Sequence, residues 1–170
     1  MAHSTALPRG ITIREASESD INEMIEVVNQ AFVEESFFVN RPRTHAGQLA
    51  GQFETGRFLL AHDGAKLVAS VYFEVRGDRG YIGMLAVLPA MQKRGLGRVM
   101  MEASESALRE AGCKVAEITV VNVREALPPM YRKLGYVETG IEEPYEELRQ
   151  KLTMPVKLIR MKKHFRPEPI

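Results

Sequence analysis

Hydrophobic positions change period several times along this chain, and each change marks an element. Ile11-Thr12-Ile13-Arg14 alternates as a short strand. Asp20 followed by Glu23 then predicts a helix start with a capping carboxylate and a reciprocal acid. Ile21, Met24, Ile25, Val28 and Phe32 recur at helical spacing, which turns Glu23, Glu26 and Asn29 to water. Residues 36–56 are less regular. Phe37, Phe38, Arg41, Pro42 and Arg43 read as a loop entering a second helix over residues 44–52.

From Arg57 the pattern changes to strands. Phe58 to Ala61 and Leu67 to Val75 predict strands joined by a hairpin turn at Asp63-Gly64. A second turn at Arg76-Gly77-Asp78-Arg79-Gly80 leads into Tyr81 to Leu88, a run apolar enough for a central strand, which Pro89 ends. Leu96, Val99, Met100, Ala103 and Ala107 form the stripe of a long helix that Gly112 stops. Val115 to Val121 predicts a buried strand. The next helix ends near Gly135, with Pro128 and Pro129 in its first turn, where no intrahelical donor is missed. Tyr136 to Ile141 and Pro155 to Met161 predict the last strands, separated by an acidic connection from Glu142 to Thr153 and followed by a loose tail from Arg166 to Ile170.

Composition narrows the function classes. A length of 170 residues suits one domain, residues 1–170 with a core over 11–163. Twenty-three basic and 22 acidic residues are interspersed for a net charge of +1, so no broad surface for nucleic acid or anionic lipid is expected. No apolar run reaches the roughly 18 residues a membrane span needs, and Met1 to Thr5 lacks an export pattern. The single cysteine, Cys113, excludes an intrachain disulfide framework and agrees with a cytoplasmic setting. His3, His45, His62 and His164 lack paired spacing, so no metal site is expected and the histidines read as surface residues.

The most informative segment runs strand, loop and helix start from Met84 to Arg98. A helix amino terminus exposes unpaired N–H groups and the positive end of its dipole, and Gly95 and Gly97 lack side chains that would block an anion. Lys93, Arg94 and Arg98 add cationic donors, and Gln92 can donate through its amide. A Walker loop would need Gly-Lys-Ser/Thr, but Arg98 and Val99 follow Gly97. A dinucleotide fingerprint would need a third glycine where Met100 stands. Taken alone, Gly95-Leu96-Gly97 could also be a plain strand-to-helix turn.

The longer pattern Leu85-x-Val87-x-Pro89 followed by Gln92-x-x-Gly95-x-Gly97 resembles the signature of the GNAT acetyltransferases. A second segment, Asn122-Val123-Arg124-Glu125-Ala126 with Met130-Tyr131-Arg132-Lys133-Leu134-Gly135-Tyr136, resembles the family's Asn-to-Tyr stretch, with Pro128-Pro129 as extra length between Asn122 and Tyr131. The resemblance implies an α/β (α+β) fold: a mixed, largely antiparallel sheet flanked by helices, whose central strands splay to form an acetyl-CoA cleft. It implies that Gln92, Lys93, Arg94, Gly95, Leu96, Gly97 and Arg98 cradle the CoA pyrophosphate, that Leu85 and Val87 give main-chain contacts to pantetheine, and that Asn122 and Tyr131 complete the cofactor site. Acetyl-CoA is then the cosubstrate and an amine the acceptor, and a homodimer is compatible with the family.

Aminolysis of a thioester needs a neutral amine, a polarised carbonyl and a proton for the departing thiolate. By resemblance, a backbone N–H at Leu85 or Ala86 stabilises the oxyanion. Tyr131 fits the general acid, because a phenol with a pKa of about 10 stays protonated while a thiolate of about 8.5 leaves. For the base, the strand Tyr81 to Leu88 holds no acid, which leaves Glu74 and Glu117 on its neighbours, acting through water. Phe37, Phe38, Arg41 and Tyr145 are acceptor-side candidates, and Glu142, Glu143, Glu146 and Glu147 read as an acidic face that could attract a cationic amine. Two other readings stand beside the enzyme: a CoA-binding sensor or scaffold without turnover, and an unrelated α/β binding domain.

Overall fold

The computed structural model describes residues 6–40 and 42–166, so His3, Arg41 and the tail from Pro167 lie outside the described residues. The chain builds β1 (Ile11–Glu15), α1 (Ile21–Ala31), α2 (Ala46–Thr55), β2 (Arg57–Asp63), β3 (Lys66–Arg76), β4 (Arg79–Val87), α3 (Leu96–Glu110), β5 (Val115–Val121), α4 (Leu127–Lys133), β6 (Val137–Glu142), the short α5 (Glu146–Arg149) and β7 (Leu158–His164). The strands form one sheet in the order β1-β2-β3-β4-β5-β7-β6. Every neighbouring pair is antiparallel except β4 and β5, which are parallel. This is the mixed, largely antiparallel sheet that the resemblance implies.

Side-chain alternation along β4 separates the two helical layers. Ala86 packs with Val28 and Ala31 of α1. A Cβ on Gly80 would run into Leu108 of α3, while Gly97 of α3 approaches the side chains of Leu85 and Val87. Successive residues of a strand face opposite sides, so α1 and α3 cover opposite faces of the sheet.

Several boundaries differ from the predicted ones. α1 ends at Ala31, and Phe32 opens a six-residue 3-10 turn, Phe32–Phe37, rather than closing the helical stripe. Asp20 does not cap α1 with its side chain. Its carboxylate accepts from both ends of the Arg14 guanidinium, at 2.7 and 2.9 Å, and from the Ser17 amide at 2.8 Å. α2 runs to Thr55, and the ring of His45, read as a plain surface residue, caps it by accepting from the Gln48 amide at 3.2 Å. The last strand is Leu158–His164 rather than Pro155–Met161, because β5 sets the register: Val121 faces Leu158 and Val115 faces His164. Residues 155–157 lie past the end of that partner strand.

α3 buries Leu96, Val99, Met100, Met101 and Leu108, but also Glu105, which is 2% exposed. Its carboxylate accepts from the Tyr136 hydroxyl and from Lys163 Nζ, each at 2.8 Å, so the buried charge is paired and hydrogen-bonded. No described helix is long and apolar enough to cross a membrane.

Candidate active site

The gap between β4 and β5 organises the site. Their ladder consists of three pairs, Arg79 with Val115, Gly80 with Ala116 and Tyr81 with Glu117, and then stops. β5 stays paired with β7 along its whole length and β4 with β3 as far as Val87 and Ala69, so the sheet parts between β4 and β5. A bulge shows why: between Ser70 and Tyr72 of β3 the register advances by one extra residue on β4, and Met84 takes a positive φ of 50°. An extra residue bends its strand and increases the local twist.

At the far end of β4 the chain makes a 3-10 turn, Pro89–Met91, and reaches α3 through two left-handed residues, Lys93 at φ 68° and Gly95 at φ 78°. A left-handed lysine is strained, as residues at binding loops often are. The first helical bond runs from Val99 N–H to the Gly95 carbonyl at 3.1 Å, which leaves the amides of Leu96, Gly97 and Arg98 with no carbonyl of their own helix. Gly95 has no atom within 4 Å of a notional Cβ, and Gly97 has only Leu85 Cδ2 at 3.8 Å and Val87 Cγ2 at 4.0 Å, so the space above the helix start is open. Gln92 Nε2 donates to the Val87 carbonyl at 3.1 Å and ties the loop to the strand. Arg98 Nε reaches Glu102 at 3.1 Å, whereas Arg94 Nη1 meets only the Met91 sulfur, at 3.8 Å. Open amides, two glycines and adjacent cations fit a diphosphate.

Tyr131 comes from α4 and is 8% exposed, with its ring edge-on to Tyr136 at 6.0 Å. Burial is the main cause that pushes its phenol up to about 12, against the pull of Arg124; Tyr81 and Glu35 add to the rise. Arg124 follows the end of β5, and Glu35 follows Phe32, which packs with Met84 of β4 on the cluster of Val28, Ala31 and Ala86, so the Arg124–Glu35 pair links the two strands that part. Arg124 bridges Glu34 at 3.2 Å and Glu35 at 3.3 Å. Burial also raises the Tyr81 phenol, with Tyr145 adding to it, and the Arg76 guanidinium lies 4.7 Å from the Tyr81 ring centre.

Glu74, Tyr81 and Glu117 stand in one row across β3, β4 and β5, at the last rung before the gap. Glu74 accepts from Tyr72 and Arg76. Its burial favours the neutral form, but those two bonds outweigh it and hold the carboxyl below its ordinary range. Glu117 takes both arms of Arg79, one at 2.8 Å, and this pairing lowers its pKa against the effect of burial. Glu117 lines an open groove of about 220 Å3 with Tyr81, Thr119, Arg76, Arg160 and Glu142. Asn122 joins β5 to β7: its Oδ1 accepts from the Lys157 amide at 2.9 Å and its own amide donates to the Lys157 carbonyl at 3.0 Å.

Of the expected acceptor-side aromatics, Phe37 and Tyr145 are exposed, but Phe38 is 1% exposed and packs with Val39, Val156 and Leu158. It anchors the loop instead of facing the groove. The sequence reading missed Tyr81, Glu35 and Arg124 as members of the site. Arg124 lay inside the Asn122–Tyr136 segment without a role, and Glu35 reads as one more acid at the end of an amphipathic helix.

With this geometry in place, the comparisons with known proteins are consistent. The pattern of the Acetyltransferase (GNAT) family matches residues 22–136, and the chain belongs to that family. Mycothiol acetyltransferase of Propionibacterium freudenreichii subsp. shermanii is 23% identical over 150 residues, covering 84% of this chain and 48% of that protein, so this chain spans about half of that relative's length. An uncharacterized N-acetyltransferase of Bacillus subtilis, YjcF, is 26% identical over 106 residues, 62% of this chain and 74% of its own. Among solved structures, the ribosomal-protein-S18-alanine N-acetyltransferase of Escherichia coli superposes with a TM-score of 0.74 at 19% identity, covering 94% of this chain and 98% of that one. A putative acetyltransferase of Salmonella typhimurium with its cofactor acetyl-CoA superposes with a TM-score of 0.72 at 17% identity, covering 95% and 98%. These structures share the fold.

Proposed function

We propose that this chain moves an acetyl group from acetyl-CoA to a primary amine of a small molecule or peptide, by direct attack while both substrates are bound. The observation that carries this reading is the gap between β4 and β5 beyond Tyr81 and Glu117, supported by the open helix start at Gly95 and Gly97 and by the buried phenol of Tyr131. Acetyl-CoA supplies an activated acyl carbon and a thiolate leaving group.

Each residue has a task in this reading. The amides of Gly95, Leu96, Gly97 and Arg98, with Lys93, Arg94 and the Gln92 loop, hold the diphosphate. Leu88 N–H bonds the Val68 carbonyl of β3 at 3.0 Å. Backbone direction alternates along a strand, so Ala86 also faces β3, whereas Leu85 and Val87 face the gap. That alternation favours Leu85 over Ala86 as the fixed dipole for the developing oxyanion. Tyr131, kept protonated by burial, donates to the departing sulfur. Asn122 holds the β5 wall of the gap. Glu74 and Glu117 are both charged and arginine-bound, which weakens them as proton acceptors.

Release of CoA thiol across polyamines, aminoglycosides, amino acids and peptide amino termini tests the reading, together with thermal stabilisation by acetyl-CoA. Turnover with one of these classes is the expected result. Stabilisation without turnover on any amine would identify a CoA-binding sensor, and no stabilisation at saturating acetyl-CoA would refute the cofactor site.

A further inference from the structure

Two glutamates are buried among the described residues, Glu35 and Glu105. Glu105 is satisfied by Tyr136 and Lys163, far along α3 from its open start. Glu35 differs. It is 8% exposed, while the side chain of its neighbour Glu34 is 54% exposed. Its one hydrogen bond to a described side chain comes from Arg124 Nη1, at 3.3 Å to Oε2. A buried charge is costly unless paired and hydrogen-bonded, and Oε1 is left with acceptor capacity.

The backbone fixes this carboxylate where it stands. The amides of Phe38 and Val39 both donate to the Glu35 carbonyl at 3.1 Å, Val39 bridges to Leu152, Asn40 N–H reaches the Lys151 carbonyl at 2.8 Å, and Thr153 N–H reaches the Phe38 carbonyl at 2.9 Å. The α1–α2 and β6–β7 connections are thereby stitched together beside the gap. Arg124 bonds Glu35 directly, the charges of Arg43 and Glu34 also act on it, and Glu35 in turn acts on Tyr131. Burial raises its proton affinity against the two arginines, the opposite direction from Glu74 and Glu117.

We propose that Glu35, oriented by Arg124, receives the acceptor's ammonium group and takes its first proton. The proposal rests on the acetyltransferase reading above. The ammonium loses that proton to Glu35 Oε1, and Glu35 passes it to solvent. The free amine forms the C–N bond as the C–S bond breaks. Tyr131 gives its proton to the thiolate and regains one from the newly bonded nitrogen. The balance is ammonium plus thioester to amide, thiol and one proton.

The test uses the full chain, the alkylamine that the wild type acetylates best, and an alkoxyamine whose nitrogen is already neutral at pH 7. Glu35→Gln should lower kcat/KM for the alkylamine about 100-fold, spare the alkoxyamine, and leave stabilisation by acetyl-CoA in place. Equal slowing of both amines, or of neither, would overturn the proposal. The wild type gives a test that needs no variant. With Glu35 as acceptor of the proton, kcat/KM for the alkylamine reaches a plateau well below the amine's own pKa of about 10.4. A rise continuing to that pKa overturns the proposal, because free amine is then the only reactive form. A wild type that acetylates no amine defeats the acetyltransferase reading and this inference with it, whereas turnover without the plateau defeats this inference alone.

Discussion

Tyr81 and Glu117 are the last two residues that face one another across β4 and β5. Past that pair, β4 is bent aside by its bulge at Met84, and the two central strands share no further rung. The row they close holds Glu74 as well, so two carboxylates and a phenol meet where the gap begins. Each carboxylate is answered by an arginine, Glu74 by Arg76 and Glu117 by Arg79. This rung therefore forms the inner end of the gap, with both of its carboxylates already committed to arginines.

Gly97 fixes how closely an anion can approach α3. Gly97→Glu would fill the open space beside Leu85 and Val87 with bulk and negative charge, in front of the unpaired amides. Thermal stabilisation by acetyl-CoA should disappear while the protein alone melts near the wild-type temperature. A near-normal acetyl-CoA shift in that variant would refute the diphosphate site.

Tyr131→Phe keeps the ring that packs on Tyr136 and deletes the proton donor. Turnover should fall by about 10²-fold with acetyl-CoA affinity almost unchanged. Because the folded phenol titrates at about 12, deprotonation of this group should produce no loss of kcat between pH 7 and pH 9. Undiminished turnover would remove Tyr131 from the reaction.

Tyr136 and Glu105 are partners of another kind, inside the α3 layer. Tyr136→Phe leaves Glu105 Oε2 without its donor at 2.8 Å while Lys163 stays on Oε1. An unsatisfied buried acceptor costs about 1–3 kcal/mol. The urea midpoint should drop by that measure with the m-value unchanged, and equal stability would show that water replaces the hydroxyl.

Asp20 gives a pH dependence with a definite sign. Its hydrogen bonds from Arg14, and secondarily the Ser17 amide and the charge on Arg14, lower its pKa from 3.8 to about 2. A carboxylate lowered on folding contributes stability above its unfolded pKa and loses it as pH falls between those two values. Arg14 is half exposed, so screening holds the contribution to on the order of 1 kcal/mol. Asp20→Asn should be less stable than the wild type at pH 7, with the gap shrinking below pH 3.8 and closing below pH 2, and a gap undiminished at pH 2 would assign the effect elsewhere.

What the sequence disclosed was local. The alternation of β1, the apolar runs of β2 to β5, the stripe of α3 and the glycines before and within its first turn are each set by residues close together in the chain, and the arrangement of the sheet was implied by the resemblance to the GNAT acetyltransferases. The proposed anion loop is a local reading, since every part of it lies between Val87 and Arg98. Glu35 was not readable, since its partner Arg124 is 89 positions away and nothing in the acidic turn after α1 marks one glutamate for burial. The β7 boundary depended on the length of β5, and the role of His45 on whether its backbone was extended ahead of α2. Phe38 looked like a contact for a substrate because an aromatic in a loop signals recognition and packing equally well, and here it is packing.

The bend in β4 has a kinetic corollary. β5 loses nothing on its other side, where β7 matches it rung for rung, and α3 remains seated beneath β4 at Leu85 and Val87. A wedge built into the resting molecule spares an incoming ligand the work of prying strands apart, so capture should be quick and only weakly dependent on temperature, with residence time set by how many vacant amides the ligand engages.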